Sequence, residues 1–561
     1  MQTVYVDPSK TTNGSGSVGS PYNTVNAALS AVSHPFSILI KKGTDVRNDD
    51  YINDTTGVLL NSSGEMSYIG TYGDELAPLL NQRPRWYMNG LYNPQIKSTS
   101  CRWLDISGID FYNQIRVVNA GLGTQNILLT TLGDDNSLAN IFIHDCGFHG
   151  DSRSNSMQTG GNQRICLFAD STGTTISHVM KVYDCQFTEV GSGVYIRGNT
   201  NFQDLTTNVG DAFRSYGCSV INCSFVNLVN CAVLLHTVAS ETNWRDSSHA
   251  MWSGFKNAPY DSYRWDKSGA DAAFWMWHCN RVGGENLTVS GMQAMALDGM
   301  AFDIDGMCWD CGFRWCYTFN NVSSMMFVSG SNAALSTWDP TKYTYKEWFY
   351  DRRMGSGNNT YEYIFSFNDG IQRLSTVPAG TDYSSEITAT AIRFTKCQFN
   401  CQVNNCVFID TVSDLRKLLM NSNAYDTGDD SIPAITMNSN LFFARFLTPT
   451  NIMNHVLYTN DSATTSGATL APPSQMILNN NLMFSDAWAS GSTPDLSLFT
   501  VSKGVYSDPY FRYLPNSSPS GLVAAQNIKF ILGQSPIFGA GVENSEPDIA
   551  GNTGDNIGWM Q

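Results

Sequence analysis

Short phrases of alternating apolar and polar residues recur along the chain. Residues 141–148 read Ile-Phe-Ile-His-Asp-Cys-Gly-Phe, and related phrases end at Phe111, Phe187 and Phe225. With Phe148, these four phenylalanines are spaced by 37, 39 and 38 residues. Residues two apart in a strand point to the same face, so each phrase predicts a strand with one apolar side. Repetition at a nearly constant interval is typical of a solenoid whose turns pack on one another.

The phrase returns in the second half of the chain. Its later copies end at Phe313, Phe399, Phe408, Phe442 and Phe484. Most copies carry Cys or Asn two positions before the final phenylalanine, which predicts internal ladders of Cys and of hydrogen-bonded Asn. We therefore expect most of the 14 cysteines to be reduced and buried. Cys308 and Cys311 form a lone pair inside one phrase, so they do not predict a zinc site.

The first residues predict an opening strand at residues 4–6 followed by a capping helix. Thr24 is placed to cap a short helix in which Val25, Ala28, Leu29 and Val32 share one side. Such a helix would cover the open strand edge of the first turn. The predicted organisation is an N-terminal entry strand and cap helix over 1–35, a β-helix over 36–490 and a closing segment over 491–561.

The regular phrases lapse at about 238–270 and 331–358, where the chain becomes aromatic and charged. We interpret both stretches as long inserted loops, which are often functional in a compact protein. The aromatic residues of the two stretches are Trp244, Trp252, Phe255, Tyr260, Tyr263, Trp265, Trp338, Tyr343, Tyr345, Trp348, Phe349 and Tyr350. Two interpretations stay open for them: packing on the solenoid flank or a neighbouring subunit, and stacking on a glycan.

Composition narrows the classes of function. The chain has 33 Lys and Arg against 49 Asp and Glu, a formal charge of −16, which argues against a nucleic-acid partner. The sequence contains no apolar run of 18 residues, so it predicts no membrane span. The N-terminus shows neither a basic segment nor an apolar segment of a secretion signal. A glycan is the class of ligand that remains easiest to reconcile with an acidic, polar and aromatic surface.

Three regions resemble right-handed parallel β-helix proteins of the pectate-lyase-like superfamily. The opening resembles their entry turn and cap helix, the middle resembles a phrase of their bacterial members, and the end is similar to their closing segment. The stretches concerned are 5–9 with 19–29, 298–305 with 317–321, and 508–511 with 535–541, 548–551 and 556–558. The resemblance implies an all-β, right-handed parallel β-helix with a short capping helix and long loop insertions, but it does not specify a reaction.

The strongest candidate for catalysis is the sequence Phe302-Asp-Ile-Asp305. A strand would direct Asp303 and Asp305 to one face at roughly 6.5–7 Å, between the carboxylate spacings of retaining and inverting glycosidases. If this strand stacks on Trp275-Met-Trp277, one turn earlier, carboxylates and indoles share a groove. Indole faces bury the apolar face of a sugar, and two neighbouring carboxyl groups can divide into a proton donor and an ionised partner. The alternatives are cation binding and structural hydrogen bonds.

Other residues are secondary candidates. Glu285 and Asp298 are further catalytic candidates, although Asp298-Gly is also a common turn pair. The predicted substrate-binding residues are Trp275, Trp277, His278, Arg281, Arg314, Trp244, Trp252 and Trp265. His278 could also serve as a base, but by alternation it shares the inward face with Phe274 and Met276. Arg281 and Arg314 either bind an acidic sugar or pair with nearby aspartates.

The resemblance and these residues together favour a bacteriophage tailspike-type receptor-binding protein. It would bind a host surface polysaccharide (capsule, exopolysaccharide or O-antigen) and depolymerise it as a glycoside hydrolase or polysaccharide lyase. By family analogy we expect a homotrimer in the virion tail, made in the host cytoplasm and acting outside the cell. A second tail protein would serve as anchor, because the β-helix entry begins at once. We expect no cofactor, with a divalent cation such as calcium left open. The alternatives are a bacterial pectate-lyase-like lyase or glycosidase and a non-catalytic glycan-binding adhesin.

Overall fold

The computed structural model describes the chain except for residues 48, 55–58, 60–63, 74–82, 88–93, 113–125, 131–138, 151–164, 171–177, 199–214, 229–230, 263–271, 293–298, 328–337, 371–389, 412–417, 446–452, 456–468, 487, 489–491, 507–510, 514–528 and 531–561. The chain forms two compact units. Unit 1 comprises residues 1–242 and 246–269, and unit 2 comprises residues 243–245 and 270–561.

Three ladders of parallel strands make up unit 1. The first ladder consists of Gln2–Val6, Phe36–Lys41, Ser67–Tyr72, Arg102–Ser107, Ala139–His144, His178–Tyr183 and Ser215–Ile221, and the last of these also pairs with Val238–Ala239 and Gly254–Lys256. The second consists of Asp45–Val46, Arg85–Tyr87, Asp110–Tyr112, Gly147–His149, Gln186–Thr188, Ser224–Leu228 and Pro259–Ser262. The third consists of Ile52–Asp54, Ile96–Ser98, Ile127–Thr130, Ile165–Asp170, Ser192–Arg197 and Val233–His236.

Unit 2 also contains three ladders of parallel strands. The first consists of Gly283–Glu285, Gly312–Phe319, Thr360–Phe367, Cys401–Asn404, Ile435–Asn438, Met476–Asn479 and Thr500–Ser502. The second shares the long strands Gly312–Phe319 and Thr360–Phe367 and adds Thr288–Ser290, Val407–Asp410, Leu441–Ala444 and Leu482–Phe484. The third consists of Phe274–Trp277, Met300–Asp305, Ser323–Phe327, Thr390–Lys396, Leu418–Ala424 and Met453–His455.

Further elements lie outside these ladders. Strand Ser356–Gly357 pairs with Gln398–Phe399, and Phe511–Tyr513 pairs antiparallel with Lys529–Phe530. A π-helix spans Glu347–Asp351 and a 3₁₀-helix spans Pro473–Gln475. Within each ladder the strands come from successive turns and run parallel. Each unit is therefore a right-handed parallel β-helix, as the sequence predicts.

The predicted capping helix is present at Val25–Ser30. The Thr24 side chain accepts a hydrogen bond from the backbone N–H of Ala27, which satisfies one of the unpaired donors of the first turn. Val25, Ala28 and Leu29 are buried, as predicted. Val32 lies beyond the end of the helix and is half-buried. The predicted boundaries of the opening and closing segments stay predictions, and most of the closing segment lies outside the described residues.

The repeated phrases form the internal ladders that the sequence predicts. In unit 1 the ring of Phe148 stacks on that of Phe187 at 4.7 Å, and Phe187 stacks on Phe225 at 4.8 Å. In unit 2 the amide of Asn440 donates to Oδ1 of Asn481 at 3.0 Å, one turn away. All 14 cysteines are buried thiols outside disulfide bonds, which confirms the prediction of reduced core thiols.

The last phrase is shifted by one residue from its predicted alignment. Met483, and not Phe484, pairs with Phe442, and Phe484 is half-buried. Asn438 pairs with Asn479 and Leu441 pairs with Leu482, so no residue is inserted between these two turns and Phe484 pairs with Phe443. Since a slip of one residue reverses the face of every side chain, the packing of Met483 in the core decides the register.

The first predicted insertion is shorter than expected. Strands Val238–Ala239, Gly254–Lys256 and Pro259–Ser262 lie within 238–270 and pair with earlier turns of unit 1. Phe255 and Tyr260 are buried in this regular part, where Tyr260 is paired with Phe225. Phe255 and Tyr260, which suggested a loop in the sequence, are thus core residues.

In the second insertion the described residues pack on the flank of their own unit. The ring of Tyr345 lies 6.1 Å from that of Phe399, and Tyr350 lies 5.4 Å from it. Trp348 and Phe349 are buried in the π-helix. This packing agrees with the interpretation of these aromatic residues as flank contacts. Residues 331–337 of the predicted loop are outside the described residues.

Candidate functional site

Two neighbouring strands of unit 2 bring together the main candidate residues. In the pairing of Phe274–Trp277 with Met300–Asp305, Trp275 lies opposite Asp303 and Trp277 lies opposite Asp305. Adjacent strands are about 4.8 Å apart. The prediction that these indoles and carboxylates are neighbours on consecutive turns is therefore confirmed. We call Trp275, Trp277, Asp303 and Asp305 the Trp–Asp face.

The strand alternation that creates this face is fixed from inside the coil. Phe274, Met276, Phe302 and Ile304 point inward and are completely buried. Their burial holds both strands in one register, because a slip of one residue would turn these side chains to solvent. The residues between them must then project from the outer side of the ladder. The local sequence therefore dictates where the candidate side chains stand.

The four residues differ in exposure. Trp275, Trp277 and Asp305 are half-buried, whereas Asp303 is only 4% exposed. The two indoles are nearly parallel, with ring centroids 5.7 Å apart and planes 8° apart. Such a pair offers an extended apolar surface beside two carboxyl groups. This is a suitable arrangement for stacking on a sugar ring while an acid reaches its glycosidic oxygen.

The indole of Trp277 lies against the backbone of Gly306. A Cβ atom at Gly306 would be 3.1 Å from Nε1 of Trp277, and Gly306 has a φ of 34°. A side chain at this position would both crowd the indole and strain the backbone. Gly306 thus helps to set the position of Trp277.

Sequence reasoning missed the continuation of the ladder beyond Asp303. Met326 is paired with Asp303, and Arg393 is paired with Met326, so these three positions form one column on the outer side. Met326 is buried and Arg393 is half-buried. Arg393 directly precedes Phe394 of a recognised phrase, and aligning that phrase with the strand at 323–327 would have placed it.

Glu285 and Arg314 form a buried ion pair and are not part of the Trp–Asp face. Arg314 donates from Nε and Nη2 to Oε1 of Glu285 at 2.8 and 2.6 Å, and the Glu285 side chain is 1% exposed. Nη2 of Arg314 also donates to the backbone oxygen of Arg245, whose own guanidinium binds Glu362 through two hydrogen bonds. The partner of Arg314 is thus a glutamate, which corrects the predicted pairing with aspartates. Burial in this pair leaves Glu285 no access to a substrate.

Trp244 and Trp252 of the first predicted insertion are both buried. Trp244 is 2% exposed, with the guanidinium of Arg245 4.1 Å from its ring centroid, and a Cβ at Gly312 would lie 2.4 Å from the indole. Trp252 belongs to unit 1 and is also 2% exposed. Such burial corrects the prediction that Trp244 and Trp252 bind substrate, because neither presents a ring face to solvent. Trp265 lies outside the described residues.

Two of the three remaining candidates, His278 and Arg281, lie among the described residues. The strand ends at Trp277, and His278 has a φ of 53°, so strand alternation does not extend to it as predicted. Its ring is 7% exposed and lies 5.3 Å from that of Trp277. Arg281, with a φ of 56°, is half-buried and its backbone N–H donates to Trp309. Asp298 lies outside the described residues. Roles for His278 and Arg281 stay predictions.

Within the part of the chain that the structure describes, no group of three or more His, Cys, Asp or Glu side chains is arranged to hold a metal ion. Among the same residues, no helix is both long enough and apolar enough to cross a membrane.

No protein-family model matches the sequence, and a search of curated proteins finds no match. Solved structures resemble the fold at low identity. A GH136 lacto-N-biosidase from Eubacterium ramulus is 12% identical with a TM-score of 0.49, over 81% of this chain and 68% of that chain. A pectate lyase is 11% identical with a TM-score of 0.36, over 100% and 96%. The tailspike protein of E. coli bacteriophage HK620, in complex with a pentasaccharide, is 12% identical with a TM-score of 0.41, over 87% and 81%. The likeness to these structures is one of fold alone.

Proposed function

We propose that the chain binds a polysaccharide on the Trp–Asp face and hydrolyses a glycosidic bond there. The observation that carries this proposal is the register that sets Trp275 beside Asp303 and Trp277 beside Asp305. An apolar stacking surface and a pair of carboxyl groups are the two parts that glycoside hydrolysis requires. Both lie on one outer face, on strands whose inward residues are fully buried.

We propose different roles for the two carboxyl groups on the basis of their difference in burial. Asp303 is nearly completely buried, with Trp275 and Met326 paired to it on the two neighbouring strands, and we assign it the role of proton donor. It donates its proton to the glycosidic oxygen as the bond to the leaving sugar breaks. Asp305 is half-buried, and we assign it the role of general base. It takes a proton from the water that attacks the sugar carbon, so the products are two sugar chains and no net charge is formed.

The proposed setting is that of a phage tailspike-type receptor-binding protein acting on a capsule, exopolysaccharide or O-antigen. The acidic composition and the resemblance of its opening, middle and closing segments to parallel β-helix proteins support this setting. In that setting the protein is a homotrimer of the virion tail, anchored by another tail protein. Light scattering during size exclusion tests the trimer, since a monomeric mass contradicts it.

The reaction is tested by incubating the protein with purified capsular and O-antigen polysaccharides and analysing the products by mass spectrometry. Asp303→Asn and Asp305→Asn are compared with the parent, and Asp410→Asn is the control. Asp410 lies in strand Val407–Asp410 of the second ladder of unit 2, so the control makes the same chemical change in the same unit. We expect the rate of cleavage to fall by about 10²–10⁴-fold in the first two variants and to stay unchanged in the control.

Each other outcome points to a different function. Cleavage at the parental rate in both Asp303→Asn and Asp305→Asn shows that the site is elsewhere. Products with an unsaturated uronate indicate elimination by a lyase, which needs a base and neutralisation of the sugar carboxylate. Retention of glycan without any product after long incubation indicates an adhesin.

A further inference from the structure

One hydroxyl group inside unit 2 reaches the backbone behind the Trp–Asp face. Tyr361 belongs to strand Thr360–Phe367 of the first ladder, and its side chain is completely buried. Its hydroxyl donates to the backbone oxygen of Met326 at 2.7 Å and lies 3.2 Å from that of Phe302. Both acceptors belong to the third ladder, so the side chain crosses the interior of the coil.

Packing alone does not explain a tyrosine at this position. The same inward column contains Phe313 one turn before and Val403 one turn after, followed by Met437 and Leu478. Burying a hydroxyl in an apolar column costs free energy unless it is hydrogen-bonded. The hydroxyl of Tyr361 avoids this cost because it is hydrogen-bonded to the third ladder. This bond to another ladder is the feature that distinguishes Tyr361 from the apolar residues of its column.

The two acceptors flank the proposed proton donor. The carbonyl of Phe302 belongs to the peptide bond whose nitrogen is that of Asp303, and Met326 is the residue paired with Asp303 on the next turn. A hydrogen bond shared between the two carbonyl oxygens restrains the peptide plane that precedes Asp303. It also restrains the distance between this peptide and the next strand. Burial raises the pKa of Tyr361 well above its usual range, so the hydroxyl keeps its proton and stays a donor.

We infer that Tyr361 is a positioning residue that orients Asp303 toward the glycosidic oxygen through the backbone of Phe302 and Met326. This inference rests on the proposed function of the Trp–Asp face. A proton donor acts efficiently only within a narrow geometry, and a displacement of about 1 Å can lower a rate by about 10²-fold. The hydroxyl touches neither substrate nor reacting atoms, and its contribution is to geometry alone.

The test is Tyr361→Phe, which removes only the hydroxyl. The aromatic contacts of the ring are kept, since it stacks on Phe313 at 5.5 Å and meets Phe327 edge-on at 4.6 Å. Tyr425→Phe is the matched control: Tyr425 is also completely buried in unit 2 and directly follows strand Leu418–Ala424. The readouts are the steady-state kinetics on the cleaved polysaccharide and hydrogen exchange of residues 300–305 and 323–327, measured by mass spectrometry.

We expect Tyr361→Phe to lower kcat by about 10–100-fold with KM changed by less than about twofold. Residues 300–305 should exchange faster, while Tyr425→Phe leaves both readouts as in the parent. A general loss of fold quality would instead change KM and exchange throughout the unit.

The outcomes separate this inference from the proposed function. If Asp303→Asn is inactive but Tyr361→Phe has parental kcat or parental exchange at 300–305, the inference alone is wrong. A rise in KM at unchanged kcat, or loss of the fold, assigns the hydroxyl to the shape or stability of the coil and also overturns it. If Asp303→Asn cleaves at the parental rate, the proposed function fails and the inference fails with it.

Discussion

A buried carboxylate in unit 2 gives the sharpest prediction about stability. Asp369 is 3% exposed, and its Oδ1 accepts from the backbone N–H and the side-chain amide of Asn321, each at 2.9 Å. Its Oδ2 accepts from the hydroxyls of Ser366, at 2.7 Å, and Thr318. Asn321 lies in the turn between strands Gly312–Phe319 and Ser323–Phe327. Asp369 therefore holds together a corner of the coil.

Two substitutions at this position should differ strongly. Asp369→Ala removes the acceptor of both nitrogen donors of Asn321, and each buried donor left unsatisfied costs about 1–3 kcal/mol. The expected loss of unfolding free energy is thus roughly 2–6 kcal/mol. Asp369→Asn keeps one oxygen for Asn321, and its NH₂ group faces the hydroxyls of Ser366 and Thr318. Hydroxyls can rotate to accept, so this variant should lose no more than about 1 kcal/mol.

The two variants also differ from the parent in their dependence on pH. Burial raises the pKa of Asp369, although hydrogen bonds from Ser366, Thr318 and Asn321 act in the opposite direction. The folded state then binds the proton of Asp369 more tightly than the unfolded state does. Its stabilising contribution to the free energy of unfolding is therefore fully present below the unfolded pKa of about 3.9. This contribution decreases as the pH rises through the folded pKa and is constant at higher pH. Asp369→Asn cannot titrate, so its stability relative to the parent should rise over this range.

The measurement is thermal unfolding of the parent and both variants at several pH values, followed by circular dichroism at one heating rate. The difference in thermal stability between the parent and Asp369→Asn, followed over pH, reports the titration of Asp369. Equal stability of the Ala and Asn variants would refute the reasoning, since it would mean that the donors of Asn321 do not depend on residue 369. A difference that does not change with pH would contradict the raised pKa.

Three further predictions concern other parts of the molecule. Arg314→Met should lower the unfolding free energy by about 3–5 kcal/mol, because the burial of Glu285 is then no longer offset by the ion pair. Adding Glu285→Leu should recover most of the lost free energy, and a double-mutant cycle of denaturant unfolding measures the recovery. Gly306→Ala should cost about 1–2 kcal/mol for its left-handed backbone and change the near-ultraviolet circular dichroism of Trp277, while unchanged spectra would contradict the contact. Ellman's reagent should label no thiol of the native protein and all 14 after unfolding; fast labelling of the native form would show that the core thiols are accessible.

Much of the fold could be predicted because its determinants are local and repeated. The phrase that ends at Phe148, Phe187 and Phe225 contains both the strand period and the interval between turns. The same reasoning placed Trp275 beside Asp303, since the two strands follow one another by a single turn. It failed for Phe484, because both turns carry two large apolar residues after a leucine and Phe484 pairs with the second of them, Phe443.

The positions of the other candidate residues depend on contacts between residues that are distant in sequence, which a local pattern does not contain. Arg314 binds the backbone of Arg245, 69 residues earlier, and Arg245 binds Glu362, 117 residues later. No periodicity relates these positions. The role of Tyr361 could not be seen either, because in sequence it is one aromatic residue of a strand and only the coil brings its hydroxyl to Met326.

The stacking of Phe148, Phe187 and Phe225 at nearly equal distances has a consequence for how such a chain can change in length. Each ring meets the same kind of neighbour above and below, so one complete turn is interchangeable with another. Duplication or deletion of a segment of one full turn would join equivalent surfaces and leave the flanking turns intact. Insertion of a single residue inside a strand would instead reverse inner and outer side chains. Genes for this architecture can therefore be expected to vary by whole turns and by loops between strands, and scarcely at all within the strands.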